Sequence, residues 1–401
     1  MAWLFLIFLG AALWIGWEVY RAHQKPAARP AAKVIPPPVA PNLLKNIPVP
    51  KPPPVVMPLP PVKTNPPPPA VSIPVPLPPQ PVEVPKTNPV VVVPPVIPPV
   101  VKPVVTPVVT PPGAEFPRPV KDVFETQIAL ARQALSSGSI DGAMGSQTRA
   151  ALAAFQRLTG LATTGNLNAD TRARLALAAP VLTSYTVTAG DLARLQPIGK
   201  TWIAKSQQSA LDYETILELV AEQAHAHPLL IRQLNPGVDW NHVTAGTVLK
   251  VPDVEYPDPD DKAAFVIIHL SEKFLEAFDT QSNLLAHFPC SIAAKVEKRP
   301  VGELHVAVII PHPNYTFDPA IFAESPEARA IGHKLVIPPG PNNPVGVAWI
   351  GLDRPGYGMH GTPGPEQVGR TESHGCFRLA NWDAAYMVKL AWIHMPVEVV
   401  P

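Results

Sequence analysis

Proline sets the first limit on what this chain can fold into. Of 57 prolines in 401 residues, 35 lie between Pro26 and Pro119, a stretch of 94 residues. Proline has no backbone N–H and its ring collides with the preceding turn, so neither a helix nor a central strand persists at that density. The stretch alternates Pro with Val, Ile, Leu and scattered Lys (PPPVVMPLPPVKTNPPPP, then VVVPPVIPPVVKPVVTP). Such a chain favours extended polyproline II, rising ~3.1 Å per residue, so it reaches on the order of 290 Å when fully stretched. Residues 26–119 are therefore expected to be a disordered, semi-stiff spacer, and the chain is not one large globule. Residues 120–401 remain, about 280 positions, enough for two or three domains with their own cores.

Ahead of the spacer, Ala2 to Trp17 (AWLFLIFLGAALWIGW) are uncharged and almost wholly apolar, and Glu18, Arg21, His23, Lys25 and Arg29 follow. The run is at the short limit for a membrane span, extended by Val19 and Tyr20. No basic segment precedes it and no small-x-small cleavage site follows Trp17, so residues 1–20 are expected to be an uncleaved anchor rather than a signal peptide. A formal net charge of +1 with no basic face argues against a nucleic-acid partner. Two cysteines, Cys290 and Cys376, form one bridge at most, and a lone thiol is a candidate reactive group.

From Asp122 the composition turns to Ala, Leu, Gln and Arg at helical spacing, with Phe124, Ile128, Ala131 and Leu135 on one face. The loop SSGSIDGAMG breaks that helix. Ser146 can cap a second one carrying Ala151, Phe155 and Leu158, and Thr171-Arg172 with Leu175 repeats Thr148-Arg149 with Leu152. Residues 120–180 thus read as a small all-α bundle. The run IDGxxGxxTxxALxxFQ within it resembles the helical peptidoglycan-binding domain of cell-wall hydrolases and transpeptidases. Residues 183–252 open as a strand (SYTVTAGD), pass through helical stretches, the second beginning at His227-Pro228, and end as a strand (GTVLKVP). The pieces YTVTAGD, LLIRQLNPG and AGTVLKVP resemble a LysM carbohydrate-binding module, from which the insertion LARLQPIGKTWIAKSQQSALDYETI departs. Glycan binding and a packing spacer are both open for this segment.

Residues 263–401 read as β-rich. AAFVIIHLS and FLEAFDTQSN form a hairpin pattern, LHVAVIIPHP, VGVAWIGL and PVEVV are further strands, and ANWDAAYMVKLAWIH is the one clear helix. A β-sandwich or partly closed barrel with one packed helix follows. Near its end stands YGMHGTPGPEQVGRTESHGCFRLAN. Acyl transfer through sulfur needs a thiolate, a base within hydrogen-bond reach, a group fixing the tautomer of that base, and N–H donors for the developing oxyanion. Cys376 has small, turn-forming neighbours, His360 lies upstream at a strand end, and Gly375 leaves room for a carbonyl to approach the backbone. Zinc is not indicated, since neither CxxC nor HExxH is present. Cys290, in FPCSIAAK, reads as a small buried hydrophobe, and His269, His305 and His312 carry no recognisable spacing.

His360-Gly361, a spacer, Ser373-His374-Gly375-Cys376 and Arg378 together resemble the signature of the YkuD-type L,D-transpeptidase catalytic domain. The similarity continues upstream through RPVGEL, IPPGPNNPVG and YGMHGT. The resemblance implies that Cys376 is the nucleophile, its pKa lowered by His360, and that His360 is the general base oriented by the carbonyl of Gly361. His374 sits beside the thiol, as a functional or a purely structural neighbour, and Gly375 belongs to the oxyanion region. Arg378 meets a stem carboxylate, Tyr357 lines the pocket and Ser373 contributes to substrate binding. No metal or organic cofactor is implied. The partners are peptidoglycan stem peptides and glycan strands, the membrane through residues 1–20, and carbapenems as inhibitors. The fold class expected overall is multidomain α+β: an all-α bundle, a LysM-like α/β segment and a mainly β catalytic domain. The implied reaction releases D-Ala from a tetrapeptide donor and forms 3→3 crosslinks, an acyltransferase activity. An L,D-carboxypeptidase or exchange enzyme on the same site, or a non-catalytic peptidoglycan tether, are the alternatives. The location implied is the periplasm or cell envelope, although Arg21, Lys25 and Arg29 after the apolar run would by charge alone keep the remainder in the cytoplasm.

Overall fold

The first described helix forms where the sequence supplies a cap: the Asp122 carboxylate accepts the Glu125 N–H at 2.9 Å and opens α1 (Val123–Ala131). This computed structural model describes residues 115–401 apart from 323, 372 and 374; the anchor expected at 1–20 and nearly all of the spacer lie outside the described residues. Among the described residues no helix is long and apolar enough to cross a membrane. Helix α2 (Ser146–Leu158) begins after Gly145 with no side-chain cap, so Ser146 is its first residue rather than its cap, and α3 (Ala169–Arg174) is capped by Asn168. Ala151, Leu152 and Phe155 are buried as expected, whereas Leu158 is 45% exposed because it falls past the last turn that faces the bundle. Two buried glutamines hold the loops. Gln127 accepts from the amides of Asp141 and Gly142 and donates to Asp141 and Thr148, while Gln156 accepts from Thr164 and Gly165 and donates to Asn166 and Thr171. Each satisfies loop backbone that burial would otherwise leave unpaired. The ends of the bundle meet as a two-residue pair, β1 (Arg118–Pro119) with β2 (Ala176–Leu177).

The middle segment is a strand pair around helices. Antiparallel β3 (Leu182–Thr186) and β4 (Val248–Pro252) enclose α4 (Ala189–Arg194), α5 (Trp202–Ser206), α6 (Ile216–Gln223) and α7 (Pro228–Leu234), the last opening at His227 as expected. It does not stand apart from its neighbours. Ile128, Ala131 and Ile140 of the helical bundle share one core with Leu219, Ile231 and Leu249. The loop after α1 is stitched on both sides: Ser136 N–H donates to the His287 carbonyl at 2.8 Å, and Ile140 N–H to the His225 carbonyl at 2.9 Å. Arg132 binds the carbonyl and carboxylate of Asp253, both at 3.0 Å. Three modules read separately from sequence are thus packed as one body.

The C-terminal region contributes β5 (Phe265–His269), β6 (Phe274–Phe278), β7 (Leu284–Pro289), β8 (Gly302–Pro311), β9 (Tyr315–Phe317), α8 (Pro326–Ile331), β10 (Leu335–Ile337), β11 (Ala348–Leu352), β12 (Gly358–His360), β13 (Phe377–Arg378), α9 (Asn381–Leu390) and β14 (Pro396–Val400). Eight of its strands form one sheet in the order β13-β12-β11-β8-β14-β5-β6-β7. The two ends of that sheet meet, because Ser291, just past β7, exchanges both backbone bonds with Arg378 of β13 at 2.9 and 3.0 Å. Of the two expected forms, a β-sandwich or a partly closed barrel, the barrel is therefore what forms. Its core is built from Val266, Ile268, Leu275, Ala286, Phe288, Val397 and Val399 against Ala384, Met387 and Leu390 of α9. That helix was expected to run on through AWIH, but it stops at Leu390, where Ala391 turns extended (ψ 155) and Trp392 is left 41% exposed. Helix α8 was not foreseen.

Between β8 and β11 the chain leaves the sheet as a β9–β10 hairpin, and the inserted part of the middle segment packs onto it. The Trp202 ring stacks on Phe317 with centroids 4.3 Å apart, and Leu211 is fully buried with Phe317, Ile331 and Ile337. The approach is closest at Gly340 (φ +145), where a Cβ would lie 2.1 Å from the Leu211 carbonyl oxygen. The stretch 192–216, read as an insertion in the sequence, is thus the part that docks on the C-terminal domain.

Candidate active site

The strands put the motif residues side by side. β12 and β13 pair in parallel with Met359 opposite Phe377 and His360 opposite Arg378. Cys376 immediately precedes this pairing, half-buried, with the Gly358 backbone N–H directed at its sulfur. His360 is 5% exposed, and its Nδ1 lies 2.6 Å from the carbonyl of Gly361. A carbonyl oxygen only accepts, so Nδ1 carries the proton and Nε2 is left as the basic nitrogen. The orienting carbonyl expected of Gly361 is thus in contact with the ring. The indole of Trp349, paired with His360 across β11 and β12, stacks on the imidazole at 5.6 Å.

The electrostatics run against the expected lowering of the thiol: burial pushes Cys376 up to about 11, with the Gly358 amide and Arg378 pulling the other way. Burial likewise pushes His360 down to about 4, Arg378 adding to the effect and the Gly361 carbonyl opposing it. The thiol donates to the Gly356 carbonyl at 3.3 Å. Both shifts favour a neutral thiol and a neutral imidazole over an ion pair. Alkylation of Cys376 by iodoacetamide should therefore rise about tenfold per pH unit from pH 6 to 9, tracking the thiolate fraction. A plateau above pH 7, read by mass spectrometry, would indicate a preformed thiolate instead. Cys290, fully buried and pushed up to about 12, should stay unlabelled in the folded protein, as expected of a buried hydrophobe.

The remaining expected residues divide. Arg378 is half-buried beside His360 and Cys376, and among the described residues its guanidinium forms no ion pair. The ring of Tyr357 lies against Gly375, 3.7 Å from where a Cβ would stand, and Arg354 covers it at 4.7 Å. Ser373 turns inward: its hydroxyl donates to the Cys376 carbonyl and accepts the Gly375 N–H at 3.2 Å. That geometry shapes the loop bearing the nucleophile, and in this state it occupies the Gly375 amide expected to serve an oxyanion. His374 lies outside the described residues. Among the described residues no three His, Cys, Asp or Glu side chains gather as metal ligands would.

Two site residues escaped the sequence reading. Tyr315 of β9 is close enough to Cys376 that thiolate charge would raise its hydroxyl, already raised by burial. Asn381, the first residue of α9, is buried, and its Oδ1 accepts the Thr362 N–H at 3.0 Å and the Val347 N–H at 3.3 Å. Only an aromatic in a short strand and a polar residue opening a helix signalled them, and both patterns are common without function.

Residues 263–399 match the family model described as the L,D-transpeptidase catalytic domain, YkuD, and residues 120–175 match a peptidoglycan binding domain model. Among curated relatives, a Bacillus licheniformis protein named as L,D-transpeptidase YkuD is 23% identical over 46% of this chain and 93% of its own length. An Escherichia coli protein named as L,D-transpeptidase YcfS is 28% identical over 47% of this chain and 60% of its own length. The crystal structure of an L,D-transpeptidase from Xylanimonas cellulosilytica aligns over 73% of this chain and all of its own, at 14% identity and a TM-score of 0.30.

Proposed function

Given an L,D-transpeptidase (YkuD) catalytic domain at residues 263–399 and a peptidoglycan-binding domain at 120–175, we propose that the chain is a cell-envelope L,D-transpeptidase acting through Cys376. The observation that carries this is the His360 imidazole, held by the Gly361 carbonyl with Nε2 basic, on the strand adjoining Cys376. As the Cys376 sulfur attacks the carbonyl carbon of the third stem residue, His360 Nε2 takes the thiol proton. The tetrahedral intermediate collapses to a thioester, and the terminal D-Ala leaves as its amine, protonated by the imidazolium. An amine of a second stem then attacks the thioester, gives its proton to Nε2, and releases the sulfur, which regains that proton. Burial raises the thiol and lowers the imidazole, which favours proton transfer in step with carbon–sulfur bond formation. Arg378 is the cation available to a stem carboxylate, and Tyr357 and Tyr315 are the aromatic walls. Residues 120–175 would hold the enzyme to its polymer, and the Pro-rich spacer would let an anchored catalytic unit search the wall.

Incubating the protein with purified tetrapeptide muropeptides and analysing products by mass spectrometry tests the reading. The expected result is free D-Ala together with a 3→3 crosslinked dimer. Tripeptide alone would reassign water as the acceptor and make the protein a carboxypeptidase. No change in either muropeptides or whole sacculi would overturn the enzymatic reading in favour of a tether.

A further inference from the structure

The peptide plane between Gly361 and Thr362 joins two hydrogen bonds that otherwise look unrelated. Its carbonyl end accepts His360 Nδ1–H at 2.6 Å, and its N–H end donates to Asn381 Oδ1 at 3.0 Å. A trans peptide is rigid and points these two groups to opposite sides, so whatever fixes the amide end also fixes the carbonyl that aims the imidazole. Asn381 is itself fixed, once from within the catalytic domain and once from outside it. Its Nδ2 donates to the Pro341 carbonyl at 3.2 Å and to Glu222 Oε2 at 2.9 Å. Glu222 sits on α6 of the middle segment, and its other oxygen accepts the Tyr213 hydroxyl at 3.1 Å. The Asn381 amide occupies space that only glycine leaves open, since a Cβ on Gly346 or Gly361 would lie 2.1 or 2.2 Å from its Oδ1. Glu222 also borders a cavity of about 40 Å³ whose opposite wall includes Pro363 and Pro365, in the loop that continues from Gly361.

We propose that Glu222 is a positioning residue for the catalytic base: it orients Asn381, Asn381 holds the Gly361–Thr362 peptide, and that peptide holds the His360 ring. The middle segment is then part of the active-site framework rather than an independent module. Tyr213 completes the chain, supplying the second hydrogen bond that keeps the Glu222 carboxylate facing Asn381. Burial pushes the Glu222 carboxyl up to about 7, so a neutral side chain of the same shape is tolerated there. Glu222→Gln is therefore the informative conservative variant, able to accept from Asn381 Nδ2 while its own amide meets the Tyr213 oxygen.

The turnover part of the test rests on the function proposed above; the spectroscopic part does not. In full-length protein, Glu222→Ala should lower kcat for tetrapeptide stems roughly tenfold, as expected for a misaimed base, with KM changed less than about twofold. The downfield Nδ1–H proton of His360, assigned by its absence in His360→Gln, should shift or broaden in Glu222→Ala. In Glu222→Gln it should stay in place, with kcat within about threefold of the parent. Wild-type kcat with an unmoved resonance in Glu222→Ala would overturn the assignment. So would equal losses in both variants with unmoved resonances, which would mark Glu222 as merely structural. If Glu222→Ala does not fold, Tyr213→Phe removes one hydroxyl and should give a two- to threefold loss with a partial shift, and no shift there overturns the proposal. A parent protein inert on stems would sink the proposed reaction while leaving the resonance comparison to decide the role of Glu222.

Discussion

Replacing Cys376 with alanine is expected to lower turnover of tetrapeptide stems by roughly 10³-fold or more, since no other group can form the thioester. The only other thiol, Cys290, is fully buried and pushed up to about 12, so it cannot stand in. The loss should be chemical rather than structural. Cys376 is half-buried, and among the described residues its sulfur meets only backbone groups, the Gly356 carbonyl at 3.3 Å and the Gly358 N–H, so the folding free energy should move by no more than the scatter of a surface substitution, about 0.5 kcal/mol. Binding to insoluble sacculi should persist through residues 120–175. Exposure to a carbapenem supplies the second readout. The parent should gain one covalent adduct by mass, on the peptide containing Cys376, and the alanine variant none. Crosslinked dimer at the parent's rate in the variant would show that the sulfur is not the nucleophile.

How much of this was legible beforehand depends on the range over which each feature is determined. Helix starts at Asp122 and His227 and the strand runs of the catalytic domain rest on a few adjacent residues and stand where the sequence places them, and the register of β12 with β13 sets His360 beside the strand that Cys376 precedes. What separates a barrel from a sandwich was not legible: closure hangs on the single pairing of Ser291 with Arg378, too short to carry a strand pattern. The fusion of the modules was invisible for a similar reason. Arg132, Ser136, Trp202 and Glu222 occur in stretches that look like ordinary amphipathic or polar surface, and only the tertiary arrangement reveals their partners Asp253, Asp383, Phe317 and Asn381. The directions of the Cys376 and His360 shifts were not legible because desolvation dominates them, and burial is a property of the whole fold. Tyr315 combines both difficulties, feeling the charge of Cys376 from a strand that also packs against Trp202 of another segment.

The Gly361–Thr362 peptide is where these layers converge, and a single added methyl tests it. In Gly361→Ala the new carbon would stand 2.2 Å from Asn381 Oδ1, 3.1 Å from the Val347 nitrogen and 3.2 Å from the Gly346 Cα. The first contact is far inside van der Waals range, and Asn381 cannot swing away without giving up its bonds to Thr362, Val347, Pro341 and Glu222. Overpacking of this kind costs about 1–3 kcal/mol, and unpaired buried amides add to it. A fall in melting temperature of roughly 5–10 °C is therefore expected for a folded region of this size. Because relief of the clash must rotate the peptide whose carbonyl holds His360 Nδ1, kcat should drop on the order of 10²-fold even where the variant is fully folded. Gly364→Ala serves as the control in the same loop: its nearest neighbours, in the side chains of Gln367 and Glu366, lie at 3.6 Å or beyond, and its φ of −125 suits any residue. That variant should melt and turn over like the parent. If Gly361→Ala did the same, the imidazole would not depend on the Gly361 carbonyl, and the base would have to be aimed by its stacking on Trp349 alone.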